Sequence, residues 1–326
     1  MVDRANKPSA IKPADISQQP EVDISSDSSR VVARLATGES VEVLLHGANI
    51  LSWKSHNGKH ENLWVSSNAS LDGSKPVRGG VPIVFPVFGL PPTNHATSQL
   101  PQHGFARNSK WEFLGKSSSE SGAISKSGKG DDCVKLDFGL FASGLSDEFK
   151  KLWPHDFGLI YSVTLGVDSL QTMLNVRNEG KESFEFQMLF HTYFAIEDIG
   201  KTTVNGLMGV EYIDKVNDKR TVTESNTAVP INGEVDRVYQ KIPQDTTSIL
   251  TGGQPRYDVQ RDNLSDTVVW NPGREKAKAV GDFEPKDAFQ RMLCVEVGSV
   301  SGWQKLEAGE TFEAGQIIRA HGGGAG

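Results

Sequence analysis

The sequence predicts an all-β protein: one large antiparallel sandwich or barrel with a few short helices. Three observations carry that expectation. Apolar residues recur at every second position in the longest patterned runs, as in Phe157, Leu159, Tyr161, Val163 and Leu165. Clusters of Gly, Asn, Asp and Pro separate these runs at roughly ten-residue spacing, as in antiparallel folds. Helical patterning is scarce, strands and helices do not alternate as a parallel sheet would need, and no fixed-period repeat is visible.

Taken in order, residues 1–30 are polar, rich in Pro, Ser and Asp, and read as a disordered tail. Strands are expected at 31–35, 41–45, 111–114 and 134–138, then at 157–165, 170–177 and 184–191, where the alternation is clearest. Further strands follow at 256–260, 293–297 and 311–318. The Ser/Gly/Lys stretch 117–130 reads as a hairpin tip. Short helical pieces are expected at 145–151, 274–280 and 286–291. Residues 31–321 form a single domain, and 322–326 form a flexible glycine-rich end.

Composition narrows the function classes. With 37% hydrophobic residues and 33 glycines in 326, the chain can build an ordinary core, which excludes wholesale disorder. The 34 basic against 41 acidic residues give −7, whereas nucleic-acid binding needs a basic face. A small anion needs only a local basic pocket. The longest apolar stretch, 81–90, is broken by Pro82 and Pro86 and cannot span a bilayer. Two cysteines, Cys133 and Cys294, are too few for a disulfide framework or a cysteine zinc site. The polar N-terminus lacks the apolar run of a secretory signal, so a cytosolic protein is expected, with a monomer as the default.

Candidate chemistry starts on two strands. In 184–191 the apolar face is Phe184, Phe186, Met188 and Phe190, which leaves His191 on the other face with Glu185 and Gln187. In 293–297, Glu296 points away from Leu293, Val295 and Val297, beside Cys294. Such polar faces ordinarily meet solvent. Here the flanking Leu189, Tyr193, Phe194 and Met292 suggest that the second face is partly enclosed.

Arg78-Gly-Gly-Val-Pro82 offers paired glycines for close backbone approach, and otherwise reads as a tight turn with a surface arginine. Gln102, His103 and Arg107 supply donors suited to hydroxyl or phosphate oxygens. His95, His103 and His155 lack metal-ligand spacing, so no metal is expected. Gly233-Glu-Val-Asp-Arg-Val-Tyr239 joins carboxylates to a strand start, and Val269-Trp-Asn-Pro272 places an aromatic and an amide at a turn.

Together, Arg78-Gly-Gly-Val-Pro82, Gln102-His-Gly-Phe-Ala-Arg107, Trp153-Pro-His-Asp-Phe157, Phe190-His-Thr-Tyr-Phe194, Trp270-Asn-Pro272 and Cys294-Val-Glu296 occur in this order. The sequence resembles the aldose 1-epimerase (galactose mutarotase-like) superfamily, most closely its glucose-6-phosphate 1-epimerase branch, over roughly residues 35–320. The resemblance implies a large antiparallel β-supersandwich with a sugar on a concave sheet face. It implies His191 as general acid and Glu296 as general base, with Arg78, Gln102, His103, Arg107 and Asp236 contacting a sugar phosphate. Gly273 departs from relatives, which often carry a bulky aromatic after Trp-Asn-Pro, and a looser loop is expected there; Trp270 and Asn271 are left out of the expected site.

The implied activity is interconversion of the α and β anomers of glucose 6-phosphate, and of related aldohexose 6-phosphates, by acid/base ring opening without metal, nucleotide or other cofactor. Two arginines flanking the site favour a hexose 6-phosphate over a free hexose, because buried guanidinium groups need an anion. The alternatives are a sugar-phosphate-binding sandwich without catalysis and a mutarotase acting on free aldoses.

Overall fold

The structure, a computed structural model, describes residues 19–117 and 133–322. The expected hairpin tip at 117–130 and the glycine-rich end therefore lie almost wholly outside the described residues. The described residues build three antiparallel sheets. The first is a five-stranded meander of Glu21–Ile24, Arg30–Arg34, Ser40–Leu44, Asn49–Ser55 and His60–Glu61. The nine-stranded second sheet runs, edge to edge, Ala228–Pro230, Thr202–Asn205, Thr246–Thr251, Gln254–Asp262, Thr311–Ala320, Ser169–Asn178, Phe157–Gly166, Cys133–Phe141 and Glu112–Ser117. The third orders Arg220–Thr223, Glu211–Asp214, Val235–Tyr239, Asp266–Asn271, Met292–Leu306, Phe184–Phe190 and Ile83–Val84, with Tyr193–Ala195 also paired to Met292–Leu306.

The period-two alternation works as expected. Phe157, Leu159, Tyr161, Val163 and Leu165 face one shared hydrophobic core, where Phe184, Phe186, Met188 and Phe190 meet them from the opposing sheet. Phe85 ties this core together: its ring lies 5.4–5.9 Å from those of Phe105, Trp153, Phe157 and Phe186. Aromatic pairs at such separations add to the stabilisation from burial alone. The expected helical pieces are Asp147–Leu152, Gly273–Ala279 and a 3₁₀ turn at Ala288–Gln290.

One boundary is corrected. The reading of 1–30 as a tail fails for its last ten residues, because Glu21–Ile24 pairs with Arg30–Arg34 from Glu21↔Arg34 to Ile24↔Val31. The polar residues between them make the turn. Asp27 Oδ1 accepts from the Ser29 N–H and from both the Ser25 and Ser29 hydroxyls, while Val22 packs on the core. Serine and aspartate here are turn formers, not signs of disorder.

Candidate active site

The central strands of the third sheet are buried on both faces, and this creates the site. One face belongs to the main core. On the other, Leu189 packs with Val84, Val238, Val268 and Val300, and Cys294 packs with Tyr193, Met292 and Phe283. The strand Met292–Leu306 is the centre: Glu296 pairs across to Val268 on one side, while Val297 pairs with Phe190 on the other. Polar groups on this face are thus withdrawn from water.

His191 follows the strand Phe184–Phe190. Its N–H donates to the Pro82 carbonyl at 3.0 Å, and the Tyr193 N–H donates to Gly80 at 2.9 Å, so the chain folds inward between its two pairings with Met292–Leu306. The imidazole stacks on Tyr193 with centroids 4.6 Å apart and planes 6° from parallel. Its Nδ1 lies 3.4 Å from Glu296 Oε1. That approach is not aligned as a hydrogen bond, and both His191 Nδ1 and Glu296 Oε2 are buried without a partner among the described residues. Buried polar atoms are rarely left so, and each carries a desolvation cost that a ligand could relieve. Burial is also the main reason that the Glu296 carboxyl is held well above the usual carboxylate range, with Asp236 adding to it. The same burial, with Arg107 and Arg78 nearby, pushes His191 well below the usual imidazole range.

The Arg78 segment is a shaped turn rather than a surface loop. Gly79 and Gly80 take φ of +125° and +71°, and a Cβ on Gly80 would sit 2.1 Å from the Ile50 carbonyl oxygen. The buried amide of Asn49 spans this turn, donating to Gly79 O and accepting from the Val81 N–H. Arg78 thereby reaches Asp282 through Nε at 3.1 Å and the Tyr193 hydroxyl through Nη1 at 3.4 Å.

Among the described residues, Arg107 has no carboxylate as a hydrogen-bond partner. It donates from Nη2 to the Gln102 carbonyl at 2.9 Å, its Nε is buried without a partner, and burial pushes its guanidinium down to about 10. His103 sits at φ +66°, accepts the Gly89 N–H on Nδ1 at 3.2 Å, and has its ring 5.9 Å from that of His191. Its Nε2 is 3.4 Å from the side-chain nitrogen of exposed Gln102.

Asp236, on Val235–Tyr239, pairs across to Trp270, and burial raises its carboxyl. Trp270 therefore belongs to a strand, Asp266–Asn271, and not to a turn. The expected looser loop after Trp270 is also corrected. Gly273 takes φ +60°, where a Cβ would lie 2.6 Å from the Glu234 nitrogen, and the Asn271 side chain accepts its N–H while donating to Phe289 and Met292 carbonyls. The turn is tight, and glycine is what allows it.

All seven residues singled out in the sequence lie in or beside this cluster. His95 and His155 do not: His95 stacks on Trp303 beside Glu185, and His155 packs on Trp153 and Phe184. Sequence reasoning missed Asp282 and Lys215. Lys215 Nζ lies 3.9 Å from Asp236 Oδ1 and 4.1 Å from the centre of the Phe88 ring, and its charge lowers the Asp236 and Glu296 carboxyls against burial. No local pattern marks either residue, because each reaches the cluster from a connecting segment. A groove of about 820 Å³ lies elsewhere, on the outer face of the nine-stranded sheet. Several of its polar groups satisfy one another, as Ser162 does with Asp137 and Asn175 with Glu313.

The fold and this cluster define the class of site: a buried imidazole–carboxylate pair with two arginines and a lysine close by. The chain belongs to the aldose 1-epimerase family, whose sequence profile matches residues 30–319. Two relatives share the name "putative glucose-6-phosphate 1-epimerase". One, from Escherichia coli K12, is 36% identical over 84% of this chain and 85% of its own. The other, from Cenchrus ciliaris, is 33% identical over 87% of this chain and 82% of its own. A crystal structure titled as a "putative mutarotase" from Salmonella typhimurium superposes with TM-score 0.77 at 28% identity, covering 94% of this chain and 95% of the other. The large antiparallel sandwich expected from the sequence is also the fold of that structure.

Proposed function

We propose that this enzyme interconverts the α and β anomers of glucose 6-phosphate, with Glu296 and His191 as its proton-transfer groups. The observation that carries this reading is the 3.4 Å between Glu296 Oε1 and His191 Nδ1 in a site shielded from water. Anomer exchange works on two oxygens bonded to one carbon, so base and acid must stand side by side. Glu296 removes the O1 proton while His191 delivers a proton to O5, and the C1–O5 bond opens. Rotation about C1–C2 presents the other aldehyde face. Closure reverses both transfers: the new O1 takes a proton from Glu296 and O5 returns one to His191. Each positioned proton transfer contributes about 10²–10⁴-fold to such a rate.

Arg107 supports the phosphate. Arg78 already has a carboxylate partner in Asp282, but Arg107 has none among its hydrogen bonds, and a dianionic phosphate would supply one. Gln102 and His103 stand beside it, and Asp236 offers an acceptor for sugar hydroxyls. A sugar phosphate does not cross a bilayer, so a cytosolic site of action goes with this substrate; among the described residues no helix is long and apolar enough to span a membrane.

The test is magnetisation exchange between the anomeric protons of glucose 6-phosphate, with free glucose as control. Fast exchange for the phosphate, lost in Glu296→Gln, is expected. Arg107→Gln should raise KM for the phosphate by about 10- to 150-fold, the worth of a charge-assisted contact, and leave glucose unaffected. Equal rates for both sugars in the wild type would instead favour a free-aldose mutarotase. Saturable binding without exchange would favour a sugar-phosphate sensor.

A further inference from the structure

The face that holds the catalytic pair also holds a third group with no part in the proton transfers. Cys294 and Glu296 are two residues apart on Met292–Leu306, so both project from the same side of the strand. Tyr193 pairs with Cys294, and His191, two residues earlier, falls beside Glu296. A nitrogen of His191, the sulfur of Cys294 and a carboxylate oxygen of Glu296 all lie within 4.8 Å of one another, and all three residues are buried. Among the described residues, His191 Nδ1 and Glu296 Oε2 have no hydrogen-bond partner.

From this geometry we infer that His191, Cys294 and Glu296 form a three-ligand site for a borderline-soft divalent cation such as Zn²⁺, whose binding switches the epimerase off. The donor set selects the ion. Thiolate with imidazole and carboxylate suits zinc and its congeners, whereas magnesium and calcium require oxygen ligands. The Nδ1–Oε1 separation of 3.4 Å matches two tetrahedral positions at bond lengths of about 2.0–2.2 Å. The Cys294 sulfur, within 4.8 Å of the other two ligand atoms, takes the third position at its longer bond of about 2.3 Å. Binding releases two protons, the thiol's and the one shared by the Glu296–His191 pair, and leaves Cys294 as thiolate, Glu296 as carboxylate and His191 as neutral imidazole, so the two anionic ligands balance the charge of the ion.

The fourth position is left for water. Arg78, Arg107 and Lys215 oppose a cation here, which makes this a site that fills only when zinc is elevated and not a resident cofactor centre. Sugar phosphate and metal compete, because the metal takes the carboxylate and the imidazole that the proposed reaction needs. The inhibitory consequence rests on the function proposed above; the metal site itself does not.

Cobalt(II) and zinc titrations of the full chain test it. Cobalt should give a thiolate-to-metal charge-transfer band at one equivalent, displaced by zinc and by excess glucose 6-phosphate. Zinc should inhibit anomer exchange. Cys294→Ser, which keeps the buried volume, should abolish the band, retain exchange activity and raise the zinc inhibition constant at least tenfold; loss of even an outer partner costs metal sites 10–100-fold. Cys294→Ala, with folding checked by circular dichroism, should behave alike. Absence of the charge-transfer band in the wild type, or zinc inhibition unchanged in both variants, overturns the site. Because the band is read without turnover, a chain that binds cobalt through Cys294 but epimerises nothing would reject the proposed function and keep the site.

Discussion

At the scale of single residues, the site is set by where charge is stable. Burial favours the uncharged forms of both Glu296 and His191, raising one and lowering the other. Between those two limits the pair carries one proton in total, which is the state the reaction needs, since the proton can sit on either partner. Below the lowered histidine value the pair gains a second proton, and Glu296 cannot act as base. Above the raised glutamate value it loses its last proton, and His191 cannot act as acid. The kcat/KM profile for glucose 6-phosphate should therefore be a plateau whose acid limb falls below the ordinary histidine value of 6.5 and whose alkaline limb falls above the ordinary glutamate value of 4.5. An acid limb at 6.5 would mean that the imidazole is hydrated and that burial does not govern the pair. Tyr193 and Cys294 were within reach of sequence reasoning, being two residues from His191 and Glu296 and so on the same faces. Lys215 was not. It arrives from the connection between Glu211–Asp214 and Arg220–Thr223, and the latter strand is exposed throughout, so no alternation marks it.

At the scale of elements, strands with visible alternation were legible, 184–191 and 293–297 of the doubly buried sheet centre among them, and the shortest ones were not. Residues 157–165 and 170–177 alternate because one side of each faces the core, and they pair as neighbours from Leu170↔Leu165 to Asn178↔Phe157. Ile83–Val84 was read only as part of a proline-broken run, since two paired residues cannot show a period. Glycine in the loops carries much of the remaining specification. Gly104, at φ +72°, would place a Cβ 2.1 Å from the Phe85 carbonyl oxygen, which also accepts the N–H groups of Phe105 and Ala106. Gly104→Ala should lower stability by about 1–3 kcal/mol and, by shifting His103 and Arg107, raise KM for glucose 6-phosphate. Gly252→Ala shares the positive φ (+58°) but meets nothing within 4 Å and lies on a distant hairpin. Thermal melts and kinetics on both variants separate strain from displacement. An equal effect on KM in the two would show that the approach to Phe85 does not hold the site.

At the scale of the whole molecule, the three sheets are not independent bodies. One hydrophobic cluster takes Val31 and Trp53 from the first sheet, Tyr161 and Ile318 from the second, and Phe186 and Val295 from the third. A shared core of this kind makes unfolding of any one sheet expose the inner faces of the others. Unfolding by urea should accordingly give coincident transitions by tryptophan fluorescence, far-ultraviolet circular dichroism and loss of glucose 6-phosphate binding. The strand Glu21–Ile24 belongs to that unit: it covers the edge of Arg30–Arg34 and lays Val22 on the core. A chain starting at residue 31 loses those ladder hydrogen bonds and the contact of one partly buried valine. At about 0.5–1.5 kcal/mol for each of about four bonds and about 1 kcal/mol for the side chain, it should be less stable by about 3–7 kcal/mol. Its midpoint should fall in all three probes together, because the first sheet cannot loosen without opening the core beneath the catalytic face. If the truncated chain instead showed an early fluorescence transition while sugar-phosphate binding persisted, the first sheet would be a separately folding cover, and the unit that carries the chemistry would be the other two sheets alone.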